Sequence, residues 1–140
     1  APRRAGTPVR VVLVAGAHGG GERVASSVTG LLGSGPRCLL TAPEADDAET
    51  AAGLGNALGV EAVVDTGWAE GADVAAAWER TVARGGTTVV VAAPEVVRAL
   101  LGHVLGLPPE RHRRLAVSPG SLTGFEVSDD EVSVVFTNRT

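Results

Sequence analysis

The stretch that decides the fold is VVVAAPEVVRALL, residues 89–101. It continues a run of β-branched residues from position 87 that shows no polar–apolar alternation, as expected of a strand buried on both faces. Pro94 is well placed to begin a helix. The helix has a core stripe at helical spacing, formed by Val97, Leu100, Leu101, Val104 and Leu105. A doubly buried strand followed at once by an amphipathic helix indicates a parallel sheet covered by helices.

Strand-like and helix-like segments alternate along the whole chain, in the order β-α-β-α-β-α-β-α-β-β. The predicted strands are residues 9–14, 37–41, 60–64, 87–91, 122–127 and 132–136, and residues 115–117 also alternate. The predicted helices are residues 22–32, 43–58, 73–84 and the helix from Pro94, with a short helical turn at Pro108. We therefore predict an α/β fold, a three-layer α/β/α sandwich. Its mostly parallel sheet should have the strand ending near Val91 at its centre and an antiparallel C-terminal edge.

Length and composition limit the classes of function. A chain of 140 residues suffices for one domain with its own core. We expect residues 9–140 to form that domain and residues 1–8 to be an N-terminal extension. The net charge of −4 gives no electrostatic reason to expect binding to nucleic acid or to an anionic membrane surface. The apolar runs fall far short of the roughly 20 residues that cross a bilayer. A single cysteine, Cys38, fits a reducing compartment, so we expect a cytoplasmic protein.

A glycine-rich segment, GAHGGG at residues 16–21, follows the first strand. Backbone N–H groups in such loops can hold phosphate groups of nucleotides. However, no Lys-Ser/Thr pair follows the segment, and its glycines do not match the dinucleotide-binding pattern G-x-G-x-x-G. We therefore expect no nucleotide, and we assign no other cofactor and no metal site. The oligomeric state is left open.

Several segments resemble the histidine phosphatases, the phosphoglycerate mutase-like superfamily. Residues 89–101 are similar to that family's VVSHGGVIRALL, and residues 96–110, VVRALLGHVLGLPPE, are similar to its VIRALLAHLLGLPPE. Residues 118–123, SPGSLT, and residues 137–140, TNRT, are similar to its DPGSLTVLE and LNDTAHL segments. The resemblance runs from about residue 9 to the end of the chain and implies a phosphoglycerate mutase-like fold.

Family activity rests on a cradle of two histidines and two arginines at the strand ends, and the resemblance locates these positions here. Where the family has Arg-His-Gly after its first strand, the ungapped register places Ala15, Gly16 and Ala17. A two-residue insertion would instead place His18 at the phosphorylated histidine and Ala17 at the arginine. The resemblance therefore implies that the first arginine is missing in either register, and that the first histidine is present in only one.

The remaining cradle positions also differ from the family pattern. Asp46 stands where the family has its second, phosphate-binding arginine. Ala93 stands where it has its second catalytic histidine, and Pro94 and Glu95 replace the two glycines that follow. One feature is retained: the segment DTGWAE, residues 65–70, is similar to the family's D-x-x-L-x-E, which places Glu70 at the proton-donor glutamate.

These replacements bear directly on phosphoryl transfer, which needs cations around the phosphate oxygens and a nucleophile in line. Reversing one charge a few ångströms from a dianion costs several kcal/mol at an effective dielectric near 20. We expect Asp46 and Glu70 to converge where α/β sheets place their ligands, at the carboxyl ends of the strands. The expected pocket-lining residues are Ala15, Gly16, Ala17, Ala93 and Pro94. Such a pocket should prefer neutral or cationic ligands, and like-charge proximity should raise the pKa of one carboxyl group.

Three functions remain open at this point, and with them the question of whether the chain is an enzyme. The first is a catalytically inactive domain that serves as a small-molecule-binding or assembly module, with a small neutral or cationic ligand or a protein as its partner. The second is an enzyme of changed, non-phosphoryl acid/base chemistry that uses Glu70 with His18 or Asp46. The third is residual phosphatase activity through His18.

Overall fold

A computed structural model of the chain describes residues 8–16, 24, 28, 37–129 and 131–139. The strands in these residues are β1 (Val9–Ala15), β2 (Arg37–Thr41), β3 (Ala62–Val64), β4 (Thr87–Ala92), β5 (Leu122–Ser128) and β6 (Glu131–Arg139). The α-helices with described bounds are α1 (Ala45–Leu58), α2 (Val74–Arg84) and α3 (Pro94–Leu105). Two 3-10 helices span Thr66–Trp68 and Pro109–Arg114. Val24 and Val28 are helical, in agreement with the predicted helix 22–32, whose other residues lie outside the described ranges.

The six strands form one sheet in the order β3-β2-β4-β1-β5-β6. Strands β1, β2, β3 and β4 are mutually parallel, whereas β5 pairs antiparallel with β1 and β6 pairs antiparallel with β5. Strand β4 therefore lies in the interior of the sheet, and the antiparallel strands lie at the C-terminal edge. Both features confirm the predicted architecture.

Successive side chains of the central strands enter two separate cores. Val11 and Leu13 of β1 belong to a core that also contains Trp78 of α2 and Leu100 of α3. The next residues along the same strand, Val12 and Val14, belong to a second core, with Leu54 of α1 and with Val24 and Val28. Period-two alternation sends neighbouring residues to opposite sides of a sheet. Helices therefore cover both faces, which gives the three layers.

Several boundaries differ from the predicted ones by one to three residues, and the starts of α1 and β3 differ for a local reason. Helix α1 begins at Ala45 and not at Pro43, because Glu44 is still extended. Strand β3 begins at Ala62 and not at residue 60, because the N–H of Val60 donates to the carbonyl of Gly55 (3.0 Å) at the end of α1. The alternating residues 115–117 form no strand. No helix in the described ranges is long and apolar enough to span a membrane.

Candidate functional site: an acidic cleft at the strand ends

A cleft of about 410 Å³ lies at the carboxyl ends of β1 and β4. Gly16 directly follows β1, and its N–H donates to the carbonyl of Ala92, the last residue of β4 (2.8 Å). Helices α1 and α3 both begin at this cleft. Its described lining residues are Gly16, Glu44, Ala45, Asp46, Asp47, Glu70, Ala93, Pro94 and Glu95. We refer to it as the acidic cleft.

Charge in the acidic cleft is of one sign among the described lining residues. Five of them carry carboxyl groups and none is basic: Glu44, Asp46, Asp47, Glu70 and Glu95. Asp46 and Asp47 lie in the first turn of α1, and Glu95 lies in the first turn of α3. A helix N-terminus favours a negative group through its dipole and its free N–H groups. Here carboxylates of the chain itself lie in both first turns, where an anionic ligand would otherwise be favoured.

Asp47 is the buried member of the five. Its side chain is only 2% exposed. One carboxylate oxygen, Oδ1, lies directly over Gly16, so that a Cβ atom at that position would collide with it. The other oxygen, Oδ2, is buried and has no hydrogen-bond partner among the described residues. Burial, and after it the charges of Glu44, Glu70, Asp46 and Glu95, raise the pKa of Asp47 from 3.8 to about 6.

Local hydrogen bonds hold Glu70 at the rim of the acidic cleft. The N–H of Glu70 donates to Oε1 of Glu44 (3.0 Å), which joins the loop after the first 3-10 helix to the start of α1. That 3-10 helix is capped by Asp65, whose Oδ1 accepts from the N–H of Gly67 (2.9 Å) and from Nη2 of Arg80 (3.1 Å). Trp68 is fully buried in the core between these anchors. The segment DTGWAE thus fixes the position of Glu70 at the rim of the acidic cleft.

The structure brings together most of the residues that the sequence singled out. Gly16, Ala93 and Pro94 line the acidic cleft, as do the two exposed carboxyl residues Asp46 and Glu70. Ala15, which the sequence predicted to line the pocket, is not among the described lining residues: it is buried at the end of β1, and its carbonyl accepts from the N–H of Gly120 (2.8 Å). Ala17 and His18 lie outside the described residues.

The sequence reasoning missed Asp47, although helical periodicity could have found it. The buried residues of α1 are Asp47, Thr50, Ala51, Leu54 and Gly55. These positions follow the spacing of one helix face, i, i+3, i+4 and i+7. Asp46 is one position off that face and is exposed. Asp46 is the residue at the position of the family arginine, whereas the apolar stripe of α1 indicates Asp47 as the inward carboxyl group.

A second hollow adjoins the acidic cleft and has a different character. It has a volume of about 450 Å³ and shares Glu70 and Glu95 with the acidic cleft. Its other lining residues are small or aliphatic: Ala69, Gly71, Ala72, Val74, Val96 and Ala99. We refer to it as the side cleft. It lies between the loop that leads into α2 and the first turns of α3.

The carboxyl groups of the acidic cleft are not arranged as a metal site. Divalent cations such as Mg²⁺ and Ca²⁺ need several oxygen ligands converging at roughly 2.0–2.6 Å. No group of three or more His, Cys, Asp or Glu side chains in the described part of the chain could hold a metal ion. The five carboxyl groups instead surround a volume large enough for a small organic molecule.

Comparison with known proteins identifies a family and several similar folds. The family model of the histidine phosphatase superfamily (branch 1) matches residues 71–140, which is half of the chain. A search among curated proteins returned no match. The fold is similar to that of phosphoglycerate mutase from Plasmodium falciparum (TM-score 0.77, 16% identity), with 93% of this chain and 90% of that chain covered.

Two phosphatases of known structure are also similar. A phosphoserine phosphatase from Entamoeba histolytica, solved in complex with phosphoserine, has a TM-score of 0.76 at 10% identity, with 92% of this chain and 96% of that chain covered. A mycobacterial glucosyl-3-phosphoglycerate phosphatase has a TM-score of 0.72 at 16% identity, with 94% of this chain and all of that chain covered. The likeness to these structures shows the fold, and the family match over half of the chain shows that this chain belongs to the histidine phosphatase superfamily (branch 1).

Proposed function

We propose that this chain is a histidine-phosphatase-fold domain that has lost phosphoryl transfer and binds a small neutral or cationic molecule in the acidic cleft. The observation that carries the proposal is the composition of that cleft. Its described lining residues include five carboxyl groups and no cation, at the strand ends where the family places its cationic cradle. In this reading Asp46 replaces the phosphate-binding arginine and Ala93 replaces the second catalytic histidine.

Electrostatics and side-chain chemistry both oppose a phosphate in this cleft. At an effective dielectric near 20, two like unit charges about 4 Å apart repel by about 4 kcal/mol, and a phosphate dianion would meet several carboxylates. Ala93 is 8% exposed and has no group that could donate or accept a proton. Pro94 has no backbone N–H to offer to a phosphate oxygen. Phosphoryl transfer depends on such donors, so these residues remove much of its electrostatic basis.

The test of this proposal is hydrolysis of a generic phosphomonoester, p-nitrophenyl phosphate, by the purified chain. We expect no turnover above the buffer background. His18→Ala serves as the matched variant, because His18 is the residue through which residual phosphatase activity would operate. A turnover that persists through purification and disappears in His18→Ala would show that the chain is a phosphatase.

A second candidate function has one observation in its favour. The pKa of Asp47, about 6, lies near the physiological range in which a carboxyl group can act as general acid or base. In this second candidate function, Asp47 rather than Asp46 acts as the acid or base, with Glu70 as its partner at the rim. Exchange of a bound ligand's C–H protons with deuterium, present in the wild type and absent in Asp47→Asn, would support this chemistry. Binding without exchange favours the non-catalytic module.

We also propose that the protein resides in the cytoplasm. The described chain has one free cysteine, Cys38, which is partly buried and contacts Nη1 of Arg84 through its sulfur (3.3 Å). A lone, partly buried thiol is typical of proteins in the reducing cytoplasm. An assembly role with a protein partner would use the same cleft, with a basic side chain of the partner in place of the small cation.

A further inference from the structure

The acidic cleft and the side cleft together form a site with two chemically different ends. They share Glu70 and Glu95 and therefore lie side by side. Carboxyl groups surround one end. The other end is lined by Ala72, Val74 and Ala99, which offer only backbone and aliphatic surface. A ligand that fits both ends carries a polar head and an apolar tail.

Asp47 determines the charge of the head group. A carboxylate buried to this degree is normally paired or fully hydrogen-bonded, because an isolated buried charge is costly. Its Oδ2 has no hydrogen-bond partner among the described residues, and the described lining of the acidic cleft includes no basic side chain. A cation held beside this carboxylate would offset the cost of its burial.

The arrangement favours an organic cation over a metal ion. The described carboxyl groups do not converge on one point as a metal requires. A primary ammonium group has three N–H donors and a guanidinium group has five, so either can bridge carboxylates that lie apart. Neither requires the short ligand distances of a divalent metal.

We propose that the joined clefts bind an organic cation, with an ammonium or guanidinium head at Asp47 and Glu70 and a short apolar tail along the side cleft. The inference rests on the proposed function, because it uses the same cleft, and it goes further by naming the class of ligand. The tail should lie against Val74 and Ala99, and the rim carboxylates Glu44 and Glu95 should add to the attraction.

The test is a chemical-shift titration of the ¹⁵N-labelled chain with four simple probes. n-Pentylammonium has both head and tail, methylammonium has only the head, and 1-pentanol and pentanoate have the tail with a neutral or an anionic head. We expect n-pentylammonium to shift the amides of Gly16, Glu70 and Ala99. Its affinity should exceed that of methylammonium and of 1-pentanol by at least about tenfold, since tail burial and ion pairing each add to binding.

Variants separate the two ends of the site. Asp47→Asn removes the buried charge with little change of shape and should weaken n-pentylammonium binding at least about tenfold. Glu70→Gln removes the charge of the rim residue, and it leaves the core undisturbed because Glu70 is exposed. Ala99→Leu fills the side cleft and should weaken n-pentylammonium while leaving methylammonium unchanged. Glu61→Gln is the matched control, because Glu61 is exposed beside the opposite, N-terminal end of β3 and carries the same charge.

Each contrary outcome has a distinct meaning. Equal or tighter binding of 1-pentanol at the same amides would overturn the cationic ligand class and leave the proposed binding function intact, whereas equal or tighter binding of pentanoate would contradict both. Displacement of n-pentylammonium by Mg²⁺ at low concentration would replace the organic cation by a metal ion. Absence of shifts with n-pentylammonium would reject the inference, whereas the proposed loss of phosphatase activity is decided separately by the hydrolysis assay.

Discussion

Replacing Asp47 by asparagine should stabilise the chain near neutral pH and leave its stability nearly unchanged in acid. The pKa of Asp47 is raised in the folded state, from 3.8 to about 6. Folded protein therefore binds a proton more tightly than unfolded protein, and ionising Asp47 costs folding free energy. The interval between the two pKa values corresponds to about 3 kcal/mol, at about 1.36 kcal/mol for each pKa unit.

The pH window follows from these values. Above about pH 6 Asp47 is ionised in both the folded and the unfolded state, so the full cost is present; below about pH 3.8 it is protonated in both, so the cost is absent. Asp47→Asn removes the titrating group. Its free energy of unfolding should exceed that of the wild type by up to about 3 kcal/mol at about pH 7.5, and this excess should shrink as the pH falls through the window.

The assay is urea denaturation followed by the fluorescence of the two buried tryptophans, Trp68 and Trp78. Glu61→Gln, which makes the same change of charge at an exposed position, is the matched control. The informative quantity is the change with pH of the difference between the variant and the wild type. A difference that stays constant from about pH 7.5 to about pH 4 would show that Asp47 is not held in a desolvated, like-charged environment.

Three further predictions follow from the same structure. Leu101 of α3 is only 2% exposed, so Leu101→Ala should lower the free energy of unfolding by roughly 2–5 kcal/mol in urea denaturation. A loss under about 1 kcal/mol would mean that the buried face of α3 is wrongly assigned. Gly16→Ala should displace the carboxyl group of Asp47 and cost about 1–3 kcal/mol in the same assay, and an unchanged stability would contradict the contact between them. The affinity for n-pentylammonium, measured by calorimetry, should rise between about pH 5 and about pH 7 as Asp47 ionises among Glu44, Asp46, Glu70 and Glu95; a flat profile would exclude Asp47 from the binding step.

The central strand and its helix could be predicted from the sequence because burial there leaves a direct mark. Residues 87–91 show no alternation, and the structure places Val89 and Val91 in one core and Val90 in the other. The apolar stripe of α3 could likewise be predicted, and Leu100 and Leu101 are buried as expected. The exposed Leu105 marks where the apolar stripe extends beyond the core contact. Patterns set by packing on a sheet are local in sequence, so they survive without an alignment.

The site was less predictable, because its key contact joins distant segments. The closeness of Asp47 to Gly16 depends on how α1 is rotated about its axis, whereas the family motif indicates only its neighbour Asp46. The start of β3 was predicted wrongly for a local reason: Val60 is β-branched, but its N–H donates to the carbonyl of Gly55 at the end of α1. Propensity does not report such competition between neighbouring elements for one donor.

The central claim is that this member of the family has reversed the charge preference of its cleft. Titration of the ¹⁵N-labelled chain with inorganic phosphate tests it most directly, with the amides of Gly16 and Ala93 as reporters at the ends of β1 and β4. We predict no saturable shift of either amide, while n-pentylammonium shifts that of Gly16 in the same sample. Saturable phosphate binding at Gly16 and Ala93, unaffected by n-pentylammonium, would contradict the claim.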